Sequence, residues 1–190
     1  MQKPNSYDDV QVDYVPIELG GHTAVIKRLK ETTSKTGKPM IQVAIDFDKA
    51  DMQPEYFMKS FQNDDLPDKK WPFQGTHYIL TEDQDGKCSR SFKSFISSVE
   101  KSNNAECVWG DGFEKWFSNK KVGVVYGENE EEYNGEVKTR RRIRYFCTYD
   151  KAKSAAVPDK KFLPTTTSSP QTPSNNFINV PEGTEEDIPF

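Results

Sequence analysis

Residues 121–149, KVGVVYGENEEEYNGEVKTRRRIRYFCTY, decide the fold of this chain. The β-branched run at 121–126 predicts a strand, and 136–149 predicts a second, longer strand. Between them lies Asn134-Gly135, a dipeptide that favours a two-residue hairpin turn. The sequence therefore predicts a β-hairpin in a chain built mainly from strands.

The second strand of this hairpin carries a row of cations. Residues two apart on a strand point to the same side, about 7 Å from one another. One side is therefore predicted to hold Lys138, Arg140, Arg142 and Arg144. Phosphates in a nucleic-acid strand repeat on a similar length scale, so the row is a candidate site for a single strand of nucleic acid. The alternative is a solvated face that pairs with the acids at 130–132 across the hairpin.

The remainder of the first 154 residues predicts further strands and one helix. Apolar residues at helical spacing predict a helix over 89–101. Alternating apolar runs predict strands at 23–29, 40–47, 56–61 and 77–81. The fold class expected from this pattern is α+β and mostly β: an OB-like small barrel with one helix, followed by a disordered C-terminal tail.

Four more residues extend the predicted DNA site. Aromatic rings act as platforms for bases, each worth about 1–3 kcal/mol. Trp71 is the preferred platform because it follows two lysines in a polar segment without apolar periodicity, and Tyr56 is a second. Lys35 and Lys38, in a polar turn, are predicted to contact the DNA backbone. The other aromatic candidates are Phe61, Phe73, Tyr78 and Trp109.

Composition separates this body from the end of the chain. Of 190 residues only 34% are hydrophobic, which is low for a chain that folds throughout. The formal net charge is −4, and from residue 158 onward two lysines face five carboxylates. We therefore predict an OB-like single-stranded DNA-binding domain at 1–154, a disordered Pro/Ser/Thr linker at 155–180, and an acidic protein-interaction tip at 181–190.

The tip ends in Glu185, Glu186, Asp187, Ile188, Pro189 and Phe190. The Phe190 ring suits a small apolar pocket on another protein, worth roughly 1.5–3 kcal/mol if fully buried. The neighbouring carboxylates suit Arg or Lys at the rim of such a pocket. Pro189 restricts the backbone and lowers the entropic cost of binding. These residues are therefore the predicted partner-binding site.

This ending resembles the C-terminal tip of bacterial and bacteriophage single-stranded DNA-binding proteins, the SSB family. In that family an acidic run ending in Ile-Pro-Phe recruits replication, recombination and repair enzymes. The resemblance covers residues 185–190, with a shorter and more Glu-rich acidic run. It implies a protein that coats exposed single strands and recruits such enzymes. The alternative is an adaptor that does not bind DNA and displays the tip to sequester host enzymes.

Motifs that carry catalysis are absent from the sequence. It contains no Walker loop, no Gly-x-Ser-x-Gly, no His-Glu-x-x-His and no paired cysteine ligands. A metal-dependent nuclease is a weaker alternative, in which Asp46 and Asp48 would be the acidic residues of the site. We therefore expect a non-enzymatic protein with no cofactor, no metal and no membrane partner. The three scattered cysteines and the lack of a signal sequence predict a reducing cytoplasm, and the resemblance implies that of a bacterium or of a phage-infected cell. The sequence does not determine whether the protein is a monomer or a homo-oligomer.

Overall fold

The computed structural model describes residues 3, 7, 15–64 and 66–164. Five antiparallel strands form one sheet in the order β3-β2-β1-β4-β5. Their bounds are Gly20–Thr33 (β1), Pro39–Phe47 (β2), Thr76–Leu80 (β3), Lys121–Tyr133 (β4) and Glu136–Cys147 (β5). The α-helices are Tyr56–Gln62 (α1), Arg90–Asn103 (α2), Phe113–Trp116 (α3) and Tyr149–Ala152 (α4). This arrangement confirms the prediction of a mostly-β, α+β fold.

The predicted hairpin is present as β4 and β5, joined at Asn134 and Gly135, which both have positive φ. The strands predicted at 23–29, 40–47 and 77–81 correspond to β1, β2 and β3. The strand predicted at 56–61 is wrong, because these residues form helix α1. Asp46 explains the difference, since its Oδ1 accepts the backbone N–H groups of Phe57 at 2.9 Å and Met58 at 3.3 Å. A carboxylate from a distant strand thus stabilises the first turn of this helix.

The core lies between the sheet and helix α2, as the helical spacing predicts. The helix begins after Ser89, whose Oγ accepts the N–H of Phe92 at 3.1 Å. It ends at Asn104, which adopts a left-handed conformation with φ 47°. Its apolar side buries Phe92, Phe95, Ile96 and Val99. A one-sided helix therefore covers one face of the sheet.

The sheet is open in its hydrogen bonding but strongly curled. Across the described ranges, β3 and β5 are its two edges and do not pair with each other. Their side chains nevertheless meet, since the rings of His77 on β3 and Phe146 on β5 have centroids 5.6 Å apart. Phe95 of helix α2 lies 4.9 Å from the same Phe146 ring. Side-chain packing, rather than a closed hydrogen-bond ladder, brings the two edges together.

The first ten residues of the predicted linker, 155–164, extend the body along β4. The N–H of Lys161 donates to the carbonyl of Glu128, and the N–H of Glu130 donates to the carbonyl of Lys161, both at 2.8 Å. This bridge lies beyond Tyr126, where the pairing of β4 with β1 ends. The rest of the linker and the predicted tip lie outside the described residues. None of the helices within the described ranges has the length and apolarity needed to cross a membrane.

Candidate nucleic-acid interface

The cation row on β5 is interrupted by a bulge. Val125 of β4 pairs with Tyr145, whereas the next residue, Tyr126, pairs with Ile143. Arg144 is therefore the extra residue of the bulge, and simple alternation does not hold there. The predicted row of four equally spaced cations is accordingly reduced to Lys138, Arg140 and Arg142.

These three cations all lie close to carboxylates. Arg142 donates from Nε and Nη2 to the two carboxylate oxygens of Glu131, each at 2.7 Å. The Nε of Arg140 lies 3.7 Å from the same carboxylate, and Lys138 Nζ lies 3.0 Å from Glu136. Of the acids at 130–132 that the sequence offered as pairing partners, Glu131 contacts the row, while Glu130 pairs with Lys160 at 2.9 Å. Part of the row is thus neutralised within the hairpin.

Arg144 is held in place by hydrogen bonds to two backbone carbonyls and one side chain. Its Nη1 donates to the side-chain oxygen of Asn129 at 3.0 Å and to the carbonyls of Glu128 and Asp159 at 3.2 Å. Gly127 makes room for this side chain, because a Cβ there would lie 2.8 Å from Arg144 Cγ and 2.7 Å from Pro158 Cγ. Arg144 therefore ties the segment at 155–164 to the sheet and is already occupied.

Trp71 does not lie in an exposed loop as the sequence suggested. It is 6% exposed, and its Nε1–H donates to the carbonyl of Ile45 at 3.2 Å. Its ring packs 5.7 Å from that of Phe61. Trp71 is corrected to a core residue, because its ring has no open face for a base. Tyr56 is half-buried against the core, and its hydroxyl donates to the carbonyl of Val15 at 2.6 Å.

Strand register creates a different surface on β1, β2 and β3. Lys30 of β1 pairs with Gln42 of β2, which pairs with Tyr78 of β3. Paired residues point to the same side of a sheet. The flanking rows follow the same register and complete nine positions on one side, of which Ala44 is buried: Arg28, Ala44, Thr76, Lys30, Gln42, Tyr78, Thr32, Met40 and Leu80. We call this surface the outer face.

The outer face is polar, cationic and partly aromatic. Its nine positions include two cations and no acid. Lys30 is exposed, Tyr78 is half-buried, and Gln42 between them is buried and donates from Nε2 to the Tyr78 hydroxyl at 2.7 Å. The opposite side of the same strands is the apolar core, with Leu29, Ile41, Val43 and Ile79 all buried. The outer face thus presents a sheet surface whose central hydrogen bond holds an aromatic ring in place.

The turn between β1 and β2 continues the outer face. Its backbone is closed by Ser34, which donates its N–H to the Lys38 carbonyl at 2.8 Å and accepts the N–H of Lys38 on Oγ at 3.0 Å. Lys35 is exposed and Lys38 is half-buried. In the part of the chain that the structure describes, no carboxylate is within ion-pairing distance of Lys30, Lys35 or Lys38. The two predicted turn lysines therefore join a larger cationic surface.

Sequence reasoning missed Arg28, Lys30 and Gln42. The only available signal was the alternation within β1, which places Arg28 and Lys30 two residues apart. Gln42 carries no signal of its own, because its role depends on pairing with two other strands. The structure therefore brings Lys35 and Lys38 together with these residues, whereas the β5 row lies on a different strand of the sheet.

The two acidic residues considered for a nuclease both accept backbone N–H groups, Asp48 from Ala50 at 3.0 Å and Asp46 from Phe57 and Met58. Asp46 is 1% exposed and caps helix α1, and burial raises the pKa of its carboxyl in spite of its backbone hydrogen bonds. Within residues 15–64 and 66–164, no three His, Cys, Asp or Glu side chains are grouped to hold a metal ion. No protein-family model matches the chain, and no curated protein matches it.

Proposed function

We propose that the protein is a non-enzymatic single-stranded DNA-binding protein with an OB-like body, in which DNA lies on the outer face. The observation that carries this proposal is the acid-free row of Lys30, Gln42 and Tyr78 across three strands. OB-folds bind oligonucleotides on the face of strands 2 and 3 and on the loops between strands 1 and 2 and between strands 4 and 5. Here those parts are β2, β3, the turn with Lys35 and Lys38, and the turn at Asn134.

The expected binding energy follows from charge and stacking. Lys30, Lys35 and Lys38 neutralise about three phosphates, which corresponds to a salt slope near −2, at about −0.7 per phosphate. A base stacked on Tyr78 adds about 1–3 kcal/mol. Both terms are largely independent of base sequence, so the proposed protein coats exposed strands instead of reading them.

The tip supplies the second half of the proposed function. Residues 185–190 are proposed to recruit replication, recombination or repair enzymes in the cytoplasm of a bacterium or phage-infected cell. The segment at 155–164 is held on β4, so we assign these residues of the predicted linker to the body. The Pro/Ser/Thr-rich sequence that precedes the acidic run is proposed to let the tip reach a partner without moving the DNA.

Variants of the lysines on the outer face and its turn test the proposed surface. The double variant K30A/K38A removes two cations from it and is expected to weaken binding of a labelled deoxythymidine oligonucleotide about tenfold at low salt. K93A/K101A is the matched control, because both lysines are exposed on helix α2. Equal losses in the two double variants would show a general charge effect and reject the outer face as the site.

The adaptor that does not bind DNA is a second candidate function. The observation that favours it is the neutralisation of the β5 row by Glu131 and Glu136. An adaptor requires the tip alone, so it predicts no change in oligonucleotide anisotropy at any salt concentration. A saturable increase in anisotropy that decreases with added salt would exclude it.

A further inference from the structure

The guanidinium of Arg142 is held between a carboxylate and an aromatic ring. Two of its N–H groups donate to the two oxygens of Glu131 at 2.7 Å. Its Cζ lies 4.5 Å from the ring centroid of Phe73, which is 47% exposed. Arg142 thus contacts both the Glu131 carboxylate and the Phe73 ring, and about half of that ring remains exposed.

The same cluster also contains Arg140, and it has fewer hydrogen-bond acceptors than its two guanidinium groups have donors. Its Nε is buried and has no hydrogen-bond partner among the residues described, and the nearest carboxylate oxygen is the one of Glu131 at 3.7 Å. One carboxylate therefore serves two guanidinium groups. A buried donor without an acceptor is costly, so the cluster favours a further oxyanion.

The chemistry of this cluster matches a phosphodiester. A guanidinium that binds a carboxylate through two parallel N–H groups presents the geometry it uses for phosphate. We propose that Glu131 occupies a phosphate subsite, and that a phosphate of single-stranded DNA displaces it while a base stacks on Phe73. Glu131 thereby lowers the affinity of the protein for DNA and prevents the two arginines from binding other anions.

The position of the cluster agrees with the proposed DNA path. The 3₁₀ turn Phe73–Gly75 leads directly into Thr76, which lies at one corner of the outer face. Three residues span at most about 10 Å of backbone. The subsite is therefore a continuation of the outer face towards β5, and the inference rests on the proposed function.

The variant E131Q tests the inference, because glutamine keeps the shape of the side chain and removes its charge. We expect E131Q to bind the deoxythymidine oligonucleotide about 3- to 10-fold more tightly than wild type, with a salt slope steeper by about 0.7 for one additional phosphate. E132Q is the matched control, since Glu132 is the exposed neighbour on the same strand and the change in net charge is identical. We expect no more than a twofold change for E132Q.

Each outcome of this comparison is decisive. If wild type binds and E131Q binds equally or less tightly, the subsite is rejected while the outer face stands. If neither binds, the proposed function and this inference both fail. Equal tightening by E131Q and E132Q would reject a specific role for Glu131. The variant R142Q tests the inference if E131Q does not fold. R142Q should weaken oligonucleotide binding at least threefold, and an unchanged affinity would overturn the inference.

Discussion

The buried pair of His22 and Asp51 provides a sharp test of the energetics of this fold. Their side chains are 0% and 3% exposed, and the Nδ1–H of His22 donates to Oδ1 of Asp51 at 2.9 Å. The other ring nitrogen donates to the carbonyl of Glu18 at 2.9 Å. Both ring nitrogens thus lie within hydrogen-bonding distance of an oxygen. The ring also stacks on Phe47, with centroids 4.1 Å apart.

Asp51 has further hydrogen bonds that add to this pair. Its Oδ2 accepts the backbone N–H of Thr23 at 2.7 Å, and Oδ1 accepts the N–H of Gln53 at 3.0 Å. Removing one partner of a buried pair costs about 3–5 kcal/mol. We expect D51A to lose that amount, which is a large part of the 5–15 kcal/mol that stabilises a typical domain. Urea denaturation followed by circular dichroism measures the loss.

The pH dependence of this effect has a defined sign. Burial opposes ionisation of Asp51, but hydrogen bonds from His22, Gln53 and Thr23 outweigh it and hold the pKa of its carboxyl below the usual value. The stabilisation is therefore present above the unfolded-state pKa of about 3.9 and is lost as the pH falls through the lower folded-state pKa. The difference between wild type and D51A should narrow in acid. A loss below about 1 kcal/mol at neutral pH, or a difference that widens in acid, would refute the reasoning.

Three other substitutions test individual contacts. W71A should lower the free energy of unfolding by about 3–5 kcal/mol in urea denaturation, because the ring is buried, and a loss under 1 kcal/mol would contradict the core position. S89A should cost about 1 kcal/mol by removing the cap of helix α2, and an unchanged melting temperature would count against that cap. G21A should cost about 2–3 kcal/mol, since its Cβ would overlap the carbonyl oxygen of Ala152; wild-type stability in thermal melts would show that α4 does not pack there.

Local patterns predicted most of the elements of this fold. The spacing of Phe92, Phe95, Ile96 and Val99 predicts the helix that contains these residues. Asn134-Gly135 likewise predicts the turn that it forms. Helix α1 could not be predicted this way, because the group that caps it comes from Asp46 on another element. Local sequence therefore identifies an element where its signal is local, and fails where a tertiary contact decides.

The candidate site shows the same division. The position of Lys35 and Lys38 in a turn was predictable, because the polar segment around Gly37 indicates a reversal of the chain. Trp71 was misplaced because a single aromatic residue beside proline has no periodicity that would reveal burial. The row of Lys30, Gln42 and Tyr78 depends on the register of three strands, and the contact of Glu131 with Arg142 crosses the hairpin diagonally. Neither follows from the order of residues along one strand.

Photochemical cross-linking tests the position of the DNA most directly. A bromodeoxyuridine oligonucleotide is irradiated with the full chain, and the modified peptide is identified by mass spectrometry after trypsin digestion. Adducts are expected on the peptide of residues 71–87, at Tyr78 or Phe73, with fewer adducts as salt is added. Adducts confined to helices α2 and α3, or no adduct under conditions of low salt, would contradict a DNA path across the outer face.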